Sequence, residues 1–543
     1  RQQTRTPKLV GKTTVYGVMP DWNPAEIVGI NPHPLAFDLY KEIITDKIWP
    51  LSRAEMGYRK INHHPGLYSF SGKPYVDVRM SFNTFTPETI SEKTADKLLD
   101  FYIDKLIKNP HFHDKVEFDV CITSYDFSFD QRMEELVEAG FTKDEIEEIK
   151  ESFRKLTTNT VNEVSIKIEE EINKTLSLTE KRNEILNSDL PIENKIVKLI
   201  EDCKEFGTYS FSIMARFGFF ASILLKSLMR IGIISKGEYD SFFKSVNTVA
   251  KEFVKDLSDL THQAIEKETF LEKYGHLRPG TYDVNSRIYS DNFENYLDLS
   301  NPIPYHEDDQ FEFEEFTLDQ IQQQIEKHQL DFDVNTLLDF AKRATEAREK
   351  AKFEFSKNLS KALELIVDFG DEYGISREDV AFINYNSIVK AADGSISSKI
   401  VNELFNEIEY NKKKHLITSS IKLPALITKV QDVDFFFQEE SEPNFVTQLV
   451  LESEIIVLEN QKVDLDNKIV LIENADPGFD WIFSHSIKGL ITKYGGAASH
   501  MAIRCAEFGL PAAIGCGDVI FESLLRANKV RIDCLNKKIS VLQ

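Results

Sequence analysis

Helical periodicity over some 300 residues is the strongest constraint that this sequence places on its fold. From about residue 87 to residue 415, apolar side chains recur at the three-to-four-residue spacing of amphipathic helices, with Lys and Glu on the intervening faces. Thr142 followed by Glu145 predicts a capping box at the start of one helix. A polar segment, residues 274–283, interrupts the series. The pattern predicts a large, mainly α-helical region.

Both ends of the chain differ from this helical region in composition and in the spacing of apolar residues. Residues 1–90 are rich in Pro, Gly and aromatic residues, which predicts a small α+β portion of short strands and loops. After about residue 420, short apolar runs alternate with an amphipathic helix, as in an α/β domain. Because single cores stop growing at roughly 250–300 residues, a chain of 543 residues is expected to be multidomain. We expect a helical unit formed by 1–90 and 91–420, followed by an α/β domain at 421–543.

The charge and the cysteines narrow the class of protein. The chain has 89 acidic and 65 basic residues, and its net charge of −24 disfavours binding to nucleic acid or to a membrane surface. The five cysteines form no C-x-x-C pair, which indicates reduced thiols in a cytoplasmic protein and gives no support for a metal site. Residues 211–235 are the most apolar stretch, but Arg216, Lys226 and Arg230 interrupt it, so we interpret it as a buried helix.

The segment whose residues indicate a chemical function spans residues 489–515. Its informative residues follow one another through the end of a predicted strand, a turn and the start of a helix: Thr492, Gly495, Gly496, Ser499 and His500. Glycines let a ligand approach the backbone, and the unpaired N–H groups of a helix N-terminus attract a phosphoryl group. Because the same field disfavours an imidazolium, we expect His500 to be a neutral nucleophile that can carry phosphate.

The ordered pattern Thr-x-x-Gly-Gly-x-x-Ser-His, followed by Gly-x-Pro-Ala from Gly509, resembles the phosphohistidine swivelling domain of the PEP-utilising enzyme family. The resemblance covers about 120 C-terminal residues. It implies that His500 is the catalytic residue and that the phosphate contacts are Thr492, Gly495, Gly496 and Ser499. The alternative is a histidine that only caps or packs a helix.

The resemblance also implies a three-step reaction. ATP, held with Mg²⁺ on an ATP-grasp domain, pyrophosphorylates His500; water removes the terminal phosphate, and the swivelling domain carries the remaining phosphoryl group to an acceptor. Residues 1–90 contain no Gly-rich phosphate loop, and no TIM barrel fits after His500. We therefore expect a longer natural protein whose ATP-grasp domain lies outside this chain, in the domain order of rifampin phosphotransferases.

Other segments resemble the acceptor domain of PEP-synthase-like proteins, in particular the L-glutamine kinases of capsular phosphoramidate biosynthesis. These segments are residues 19–26, 44–46, 57–59 and 275–283. The likeness implies that the small-molecule acceptor is L-glutamine, phosphorylated on its side-chain amide. A free amino acid needs a cation for its carboxylate and an acid for its ammonium group.

One polar loop offers these groups within twelve residues. We expect His276 to act as a base or phosphoryl contact and Arg278 as a charge clamp, while Asp283 and Arg287 hold the amino-acid head group. The alternative is a connecting loop whose charged side chains cap helices or form structural ion pairs.

Other candidate residues have less support. Glu117 and Asp119 alternate on a predicted strand, residues 113–120, and would reach the acceptor, although charges on an edge strand are usually solvated. Two histidine pairs lack further ligands at metal-binding spacing, namely His63 with His64 and His111 with His113.

Two other functions remain open. The acceptor is an antibiotic hydroxyl in the rifampin phosphotransferases, and here residues 217–225 would supply an apolar pocket. In a second alternative, the chain is a phosphohistidine carrier or regulatory module that a partner protein recognises. The charged loop at 276–287 favours a small zwitterionic acceptor, and the size of the helical region argues against a simple carrier.

Overall fold

The computed structural model of the protein describes residues 9–543 except 62–63, 298, 300–309, 395–399, 437–441, 459–463 and 497–498. His63 and much of the acidic segment after Leu297 therefore lie outside the described residues. Within the described part, the chain is mostly helical and ends in a curled sheet. The expected combination of a helical region with a C-terminal α/β region is confirmed at this level.

The N-terminal part forms a small antiparallel sheet in the spatial order β2-β3-β1-β4. Its strands are β1 Tyr16–Gly17, β2 Leu67–Phe70, β3 Lys73–Asp77 and β4 Leu426–Ile427. Because β1 pairs with β4, the chain returns to this sheet after the whole helical region. The stretch that follows the expected boundary at residue 420 is thus shared between this sheet and the C-terminal one.

The middle of the chain is a bundle of helices around one large apolar core. In chain order, the helices are α1 Pro24–Ile27, α2 Pro34–Tyr40, α3 Ile48–Glu55, α4 Val78–Asn83, α5 Glu92–Lys108, α6 Phe129–Glu138, α7 Lys143–Leu176, α8 Leu178–Asn187, α9 Ile192–Asp202, α10 Tyr209–Arg230, α11 Lys236–Ser245, α12 Val249–Thr261, α13 Lys267–Tyr274, α14 Tyr289–Tyr296, α15 Glu315–Lys327, α16 Val334–Glu372, α17 Arg377–Val380, α18 Tyr385–Ala392 and α19 Ile400–Ser419. α16 packs against α7, α9 and α10, so it forms the axis of the bundle.

Two local expectations have opposite outcomes. The capping box at α7 is confirmed, since Thr142 Oγ1 accepts a hydrogen bond from the Glu145 N–H at 3.2 Å and the Glu145 carboxylate accepts one from the Thr142 N–H at 3.0 Å. The strand expected at residues 113–120 is wrong, because Val116–Val120 form one wide helical turn. This turn directs Glu117 into the interior and leaves Asp119 exposed, which the alternation of polar and apolar residues could not reveal.

The apolar stretch around α10 is a core helix. One helical run, residues 192–230, is long and apolar enough to cross a membrane by length and composition, but 78% of its most apolar window is buried inside the protein. α10 packs between α3, α7 and α16. The buried-helix interpretation is therefore confirmed, and it is consistent with the core helix of a soluble protein.

The C-terminal region is a seven-stranded sheet in the order β11-β10-β6-β7-β8-β9-β5. The strands are β5 Asn444–Val446, β6 Val450–Val457, β7 Ile469–Asn474, β8 Gly489–Tyr494, β9 Ala512–Ile514, β10 Lys529–Asp533 and β11 Lys538–Val541. β6 to β9 run parallel and the outer strands antiparallel. Two helices follow β8 and β9, α20 His500–Glu507 and α21 Gly517–Leu524. The parallel strands end at one edge of the sheet, and α20 begins there.

Substitution of Gly207 tests the close packing within the bundle. A Cβ placed at Gly207 would lie 2.6 Å from the Cβ of Phe355 on α16, so Gly207→Ala must push the two elements apart. We expect a loss of about 1–3 kcal/mol in the free energy of unfolding, measured by urea denaturation. Gly237→Ala, in α11, is the control, since a Cβ there would meet only Ser235 Oγ at a comfortable 3.8 Å, and it should be neutral or slightly stabilising. Equal effects of the two substitutions would contradict this packing.

Candidate active site

His500 lies at the point where the C-terminal sheet meets the helical bundle. β8 ends at Tyr494, and α20 starts at His500 with Ser499 as its N-cap, because Ser499 Oγ accepts a hydrogen bond from the Ala502 N–H at 3.2 Å. The imidazole is buried, with 8% of the residue exposed. The strand-turn-helix expected from the motif is therefore present, and it directs His500 into the interface with the bundle.

One nitrogen of His500 is held by a buried ion pair within the C-terminal region. Nε2 lies 2.7 Å from Oδ1 of Asp480, and the other oxygen of Asp480 lies 2.6 Å from Arg504 Nη2. Burial alone would raise the pKa of the Asp480 carboxyl, but Arg504 and His500 outweigh it and hold the pKa below its usual value. Asp480 is therefore an anion at neutral pH, fixed between the imidazole and the guanidinium.

The other nitrogen of His500 faces the long helix of the bundle. Nδ1 lies 3.7 Å from Oε2 of Glu349 on α16. Burial acts to raise the pKa of Glu349, yet His500 and Arg348 lower it overall. One helical turn further, Lys352 is half-buried, and its partial removal from water lowers the pKa of its ammonium group. α16 thus presents one anion and two cations to His500, a set suited to a group whose charge changes during a reaction.

Three of the four residues expected to contact phosphate help to shape the turn before His500. Thr492 Oγ1 accepts a hydrogen bond from the Gly515 N–H at 3.0 Å. The Gly496 N–H donates to Glu26 of the bundle at 3.3 Å. Gly495 is packed so tightly that a Cβ would meet neighbouring side chains at 2.8 Å. These contacts hold the turn in place, and a role in phosphate binding stays a prediction.

The structure separates the four residues expected to bind the acceptor. His276 lines the same cavity as His500, and its Nε2 lies 3.1 Å from Ser356 Oγ on α16. Arg278 is buried and tied to α16 by an ion pair with Glu364, at 2.9 Å. Asp283 accepts a hydrogen bond from the Asn285 N–H, and Arg287 is exposed. Of the four, His276 and Arg278 line a cavity next to His500, whereas Asp283 and Arg287 line neither of the cavities described below.

The loop that contains His276 and Arg278 also packs against the C-terminal region. The turn Pro477–Ser484, which carries Asp480, packs against the loop so closely that a Cβ at Gly478 would overlap the carbonyl of Arg278 and lie 2.6 Å from Pro279 Cα. Oδ1 of Asp476 accepts a hydrogen bond from the Gly280 N–H at 3.2 Å. We call this contact, between residues 276–281 and 476–484, the docking contact. It sets the position of His500 relative to α16.

Two cavities adjoin His500. The smaller, about 70 Å³, is mainly apolar and includes His276, Phe353 and Tyr274. The larger, about 150 Å³, is lined mainly by the bundle, including residues 19–23, Glu117 and Arg216, and Asp476 and Ser499 of the C-terminal region complete its wall beside His500. The segment 19–26, singled out by its resemblance, therefore forms part of this wall. Among the described residues, no group of three or more His, Cys, Asp or Glu side chains is arranged to hold a metal ion.

Sequence reasoning missed most of the residues that surround His500. Arg504 follows His500 by four positions on a predicted helix, and this spacing was a usable signal that both lie on one helix face. Asp480, Glu349 and Lys352 come from distant segments and follow no motif. Glu117 was considered, but with the wrong local structure.

A comparison with known protein families matches the region that contains this site. Residues 464–537 match the family model described as PEP-utilising enzyme, mobile domain, and this range includes His500, Asp480 and Arg504. The C-terminal region is thus similar, over this range, to the mobile domain of PEP-utilising enzymes.

A curated relative points to the same family. Rifampicin phosphotransferase from Bacillus subtilis (strain 168) is 24% identical over 214 residues, which cover 33% of this chain and 24% of the relative. The chain therefore spans about a quarter of the length of the relative that it matches. Together with the mobile-domain match, this similarity supports the PEP-utilising family that the motif around His500 indicates.

Gly478→Ala tests the docking contact. The added methyl group cannot fit against Arg278 and Pro279, so we expect the C-terminal region to separate from the bundle. Hydrogen exchange should become faster in residues 274–283 and 476–484, because the Gly280 amide loses its acceptor. Gly509→Ala, at a left-handed turn (φ 61°) of the same region with no atom near the added methyl group, is the control for local backbone strain and should leave these peptides protected. Unchanged exchange in Gly478→Ala would contradict the contact.

Titration of Glu26 should make the stability of the folded protein depend on pH. It is buried, and burial raises its pKa to about 7. Since the folded protein holds this proton more tightly than the unfolded chain does, Glu26 costs stability as the pH rises from about 4.5 to about 7. We expect Glu26→Gln, which keeps an acceptor for the Gly496 N–H, to gain up to about 3 kcal/mol above pH 7 and nothing below pH 4.5.

The measurement is the melting temperature of both proteins across this pH range. Glu88→Gln, at an exposed position, is the matched control and should follow the unmodified chain at every pH. A gain for Glu26→Gln that does not change with pH would contradict the assigned titration.

Proposed function

We propose that the chain is the acceptor-side part of an ATP-dependent phosphotransferase, in which His500 carries a phosphoryl group to a small molecule bound in the larger cavity. The observation that carries this proposal is the position of His500. The imidazole belongs to a mobile-type domain, yet it opens into a cavity whose walls come from the bundle. A carrier histidine docked on a preformed pocket is the arrangement that phosphoryl transfer requires.

The transfer step uses groups that the chain supplies. The acceptor nitrogen or oxygen attacks phosphorus, the bond from phosphorus to the imidazole breaks, and its electron pair returns to the ring. The proton that the acceptor loses passes to the same ring nitrogen. The ring leaves as a neutral imidazole, which Asp480 and Glu349 hold from either side, while Arg348 and Lys352 face the phosphoryl oxygens.

The donor side of the reaction is assigned to another part of the protein. We place ATP and Mg²⁺ on an ATP-grasp domain of the same cytoplasmic protein, so that the overall reaction converts ATP, acceptor and water into phosphorylated acceptor, AMP and phosphate. When bound there, the metal and nucleotide supply the activated phosphoryl group. Two facts support this placement: the absence of a metal-binding cluster among the described residues, and the much greater length of the relative.

L-Glutamine, phosphorylated on its side-chain amide, is the acceptor we favour. A cavity of about 150 Å³ suits a small molecule, since pockets for drug-sized ligands usually measure roughly 300–1,000 Å³. The name of the Bacillus relative favours an antibiotic acceptor as the second candidate. A pure carrier module, the third, would have no need for a charged cavity beside its histidine.

The deciding experiment uses the protein expressed from its complete gene. We expect phosphorus NMR with Mg-ATP and L-glutamine to show AMP, phosphate and a new phosphoramidate signal. His500→Asn should lower the rate of all three by more than about 1,000-fold, because it removes the group that carries the phosphoryl. AMP formation without a phosphoramidate would exclude glutamine and retain the phosphotransferase. Turnover that persists in His500→Asn would contradict the proposal.

A further inference from the structure

The wall of the larger cavity contains two buried ion pairs. Arg53 binds Asp21 through two hydrogen bonds, from Nη1 at 2.8 Å and from Nη2 at 3.0 Å. Arg216 forms an ion pair with Glu117. Both guanidinium groups lie over the ring of Phe85, at 4.1 and 4.8 Å from its centroid, so the two pairs form one cluster. We call it the four-charge cluster, and each of its charged residues lines the cavity.

This cluster is costly if its role is only structural. Each of the four residues is at least nine-tenths buried. Removing charges from water carries a penalty of several kcal/mol per ion, and apolar side chains of similar size are often as stable or more so. Burial also raises the pKa of Glu117, although Arg216 opposes this. The cost points to a role in binding.

Donors without partners show what kind of ligand would fit. Four residues that line the cavity each have a buried N–H group with no hydrogen-bond partner within the described part of the chain, namely Trp22 Nε1, Arg53 Nε, Arg216 Nε and Arg348 Nε. All four are donors, and three belong to cations. A carboxylate offers several acceptor sites with a negative charge, and arginine binds it especially well. Arg348 Nη1 lies 3.4 Å from Oε1 of Glu349, the carboxylate that faces His500, so its guanidinium group lies on the His500 side of the cavity.

We propose that the four-charge cluster is the head-group site for a zwitterionic acceptor, an α-amino acid. Arg53, Arg216 and Trp22 bind its carboxylate, and the acids Asp21 and Glu117 bind its ammonium group. The side chain of the ligand extends towards His500, where Arg348 remains for the phosphoryl group. This inference rests on the proposed function, since it names the chemical class of the acceptor in the same cavity. It moves the head-group role from Asp283 and Arg287 to residues in four other segments.

The test measures binding without any phosphoryl transfer. The unphosphorylated 543-residue chain is titrated by calorimetry, without ATP, with L-glutamine, L-glutaminamide and N-acetyl-L-glutamine. The last two compounds each remove one charge of the head group and keep the side chain. We expect L-glutamine to bind and each analogue to bind at least about 30-fold more weakly, because each leaves buried charges unpaired.

A conservative substitution tests the carboxylate site without removing a charge. Trp22→Phe keeps an aromatic ring and loses only the Nε1–H, so we expect binding to weaken about 5- to 10-fold. Trp49→Phe is the matched control. Its Nε1–H is also buried without a partner in the described residues, and its ring lies 4.7 Å from the Arg53 guanidinium, but Trp49 does not line the cavity, so binding should weaken less than in Trp22→Phe.

The outcomes separate this inference from the proposed function. Equal affinity for L-glutamine and L-glutaminamide would overturn it, as would failure of all twenty common L-amino acids to bind. Binding of another amino acid, with the same loss on blocking either charge, would support the zwitterion site and replace glutamine. Because ATP is absent throughout, a protein that binds the amino acid and never phosphorylates it would refute the phosphotransferase alone.

Discussion

The docking contact between Gly478 and the backbone of residues 278–279 is the constraint on which the rest of the site depends. Only a glycine lets the two backbones come this close, and the Asp476 carboxylate then reaches the amide of Gly280. This approach brings the turn that carries Asp480 against the bundle, and His500 against α16. Without it, the larger cavity would lose part of its wall, and His500 would have only the partners of its own domain.

Charge at the site is balanced in two separate places. Around His500, carboxylates from two elements face the ring and cations stand beside them, so either charge state of the imidazole or a phosphoryl group meets a compensating neighbour. In the four-charge cluster, two cations meet two anions, and the net charge is zero. Such separation suits a reaction in which one end of the acceptor reacts and the other only binds. The acidic surface of the chain therefore says little about its buried site.

Much of the fold and one half of the site could be predicted from local pattern. The helical run, the capping box at Thr142 and the alternation of strands and helices near the C-terminus follow from spacing alone, and the structure confirms them. The motif around His500 was equally readable, because a strand end, a turn and a helix start are consecutive in the chain. The other half of the site was not. Asp480 and Glu349 are ordinary acids in their local sequence. The loop at 276–287 has the residue types that an amino-acid site needs, yet Asp283 and Arg287 line neither cavity.

The sequence by itself determined the helical class of the bundle, the α/β class of the C-terminal region and the strand, turn and helix that place His500. These depend on neighbours within about ten positions, where side-chain periodicity and turn chemistry act directly. Tertiary structure alone decided what faces that histidine. Arg278 is engaged with Glu364, whereas Asp21, Arg53, Glu117 and Arg216 meet on one wall. The reason is that electrostatic partners in a buried site are chosen by distance in space, and residues far apart in the chain become neighbours only when the bundle and the sheet have packed.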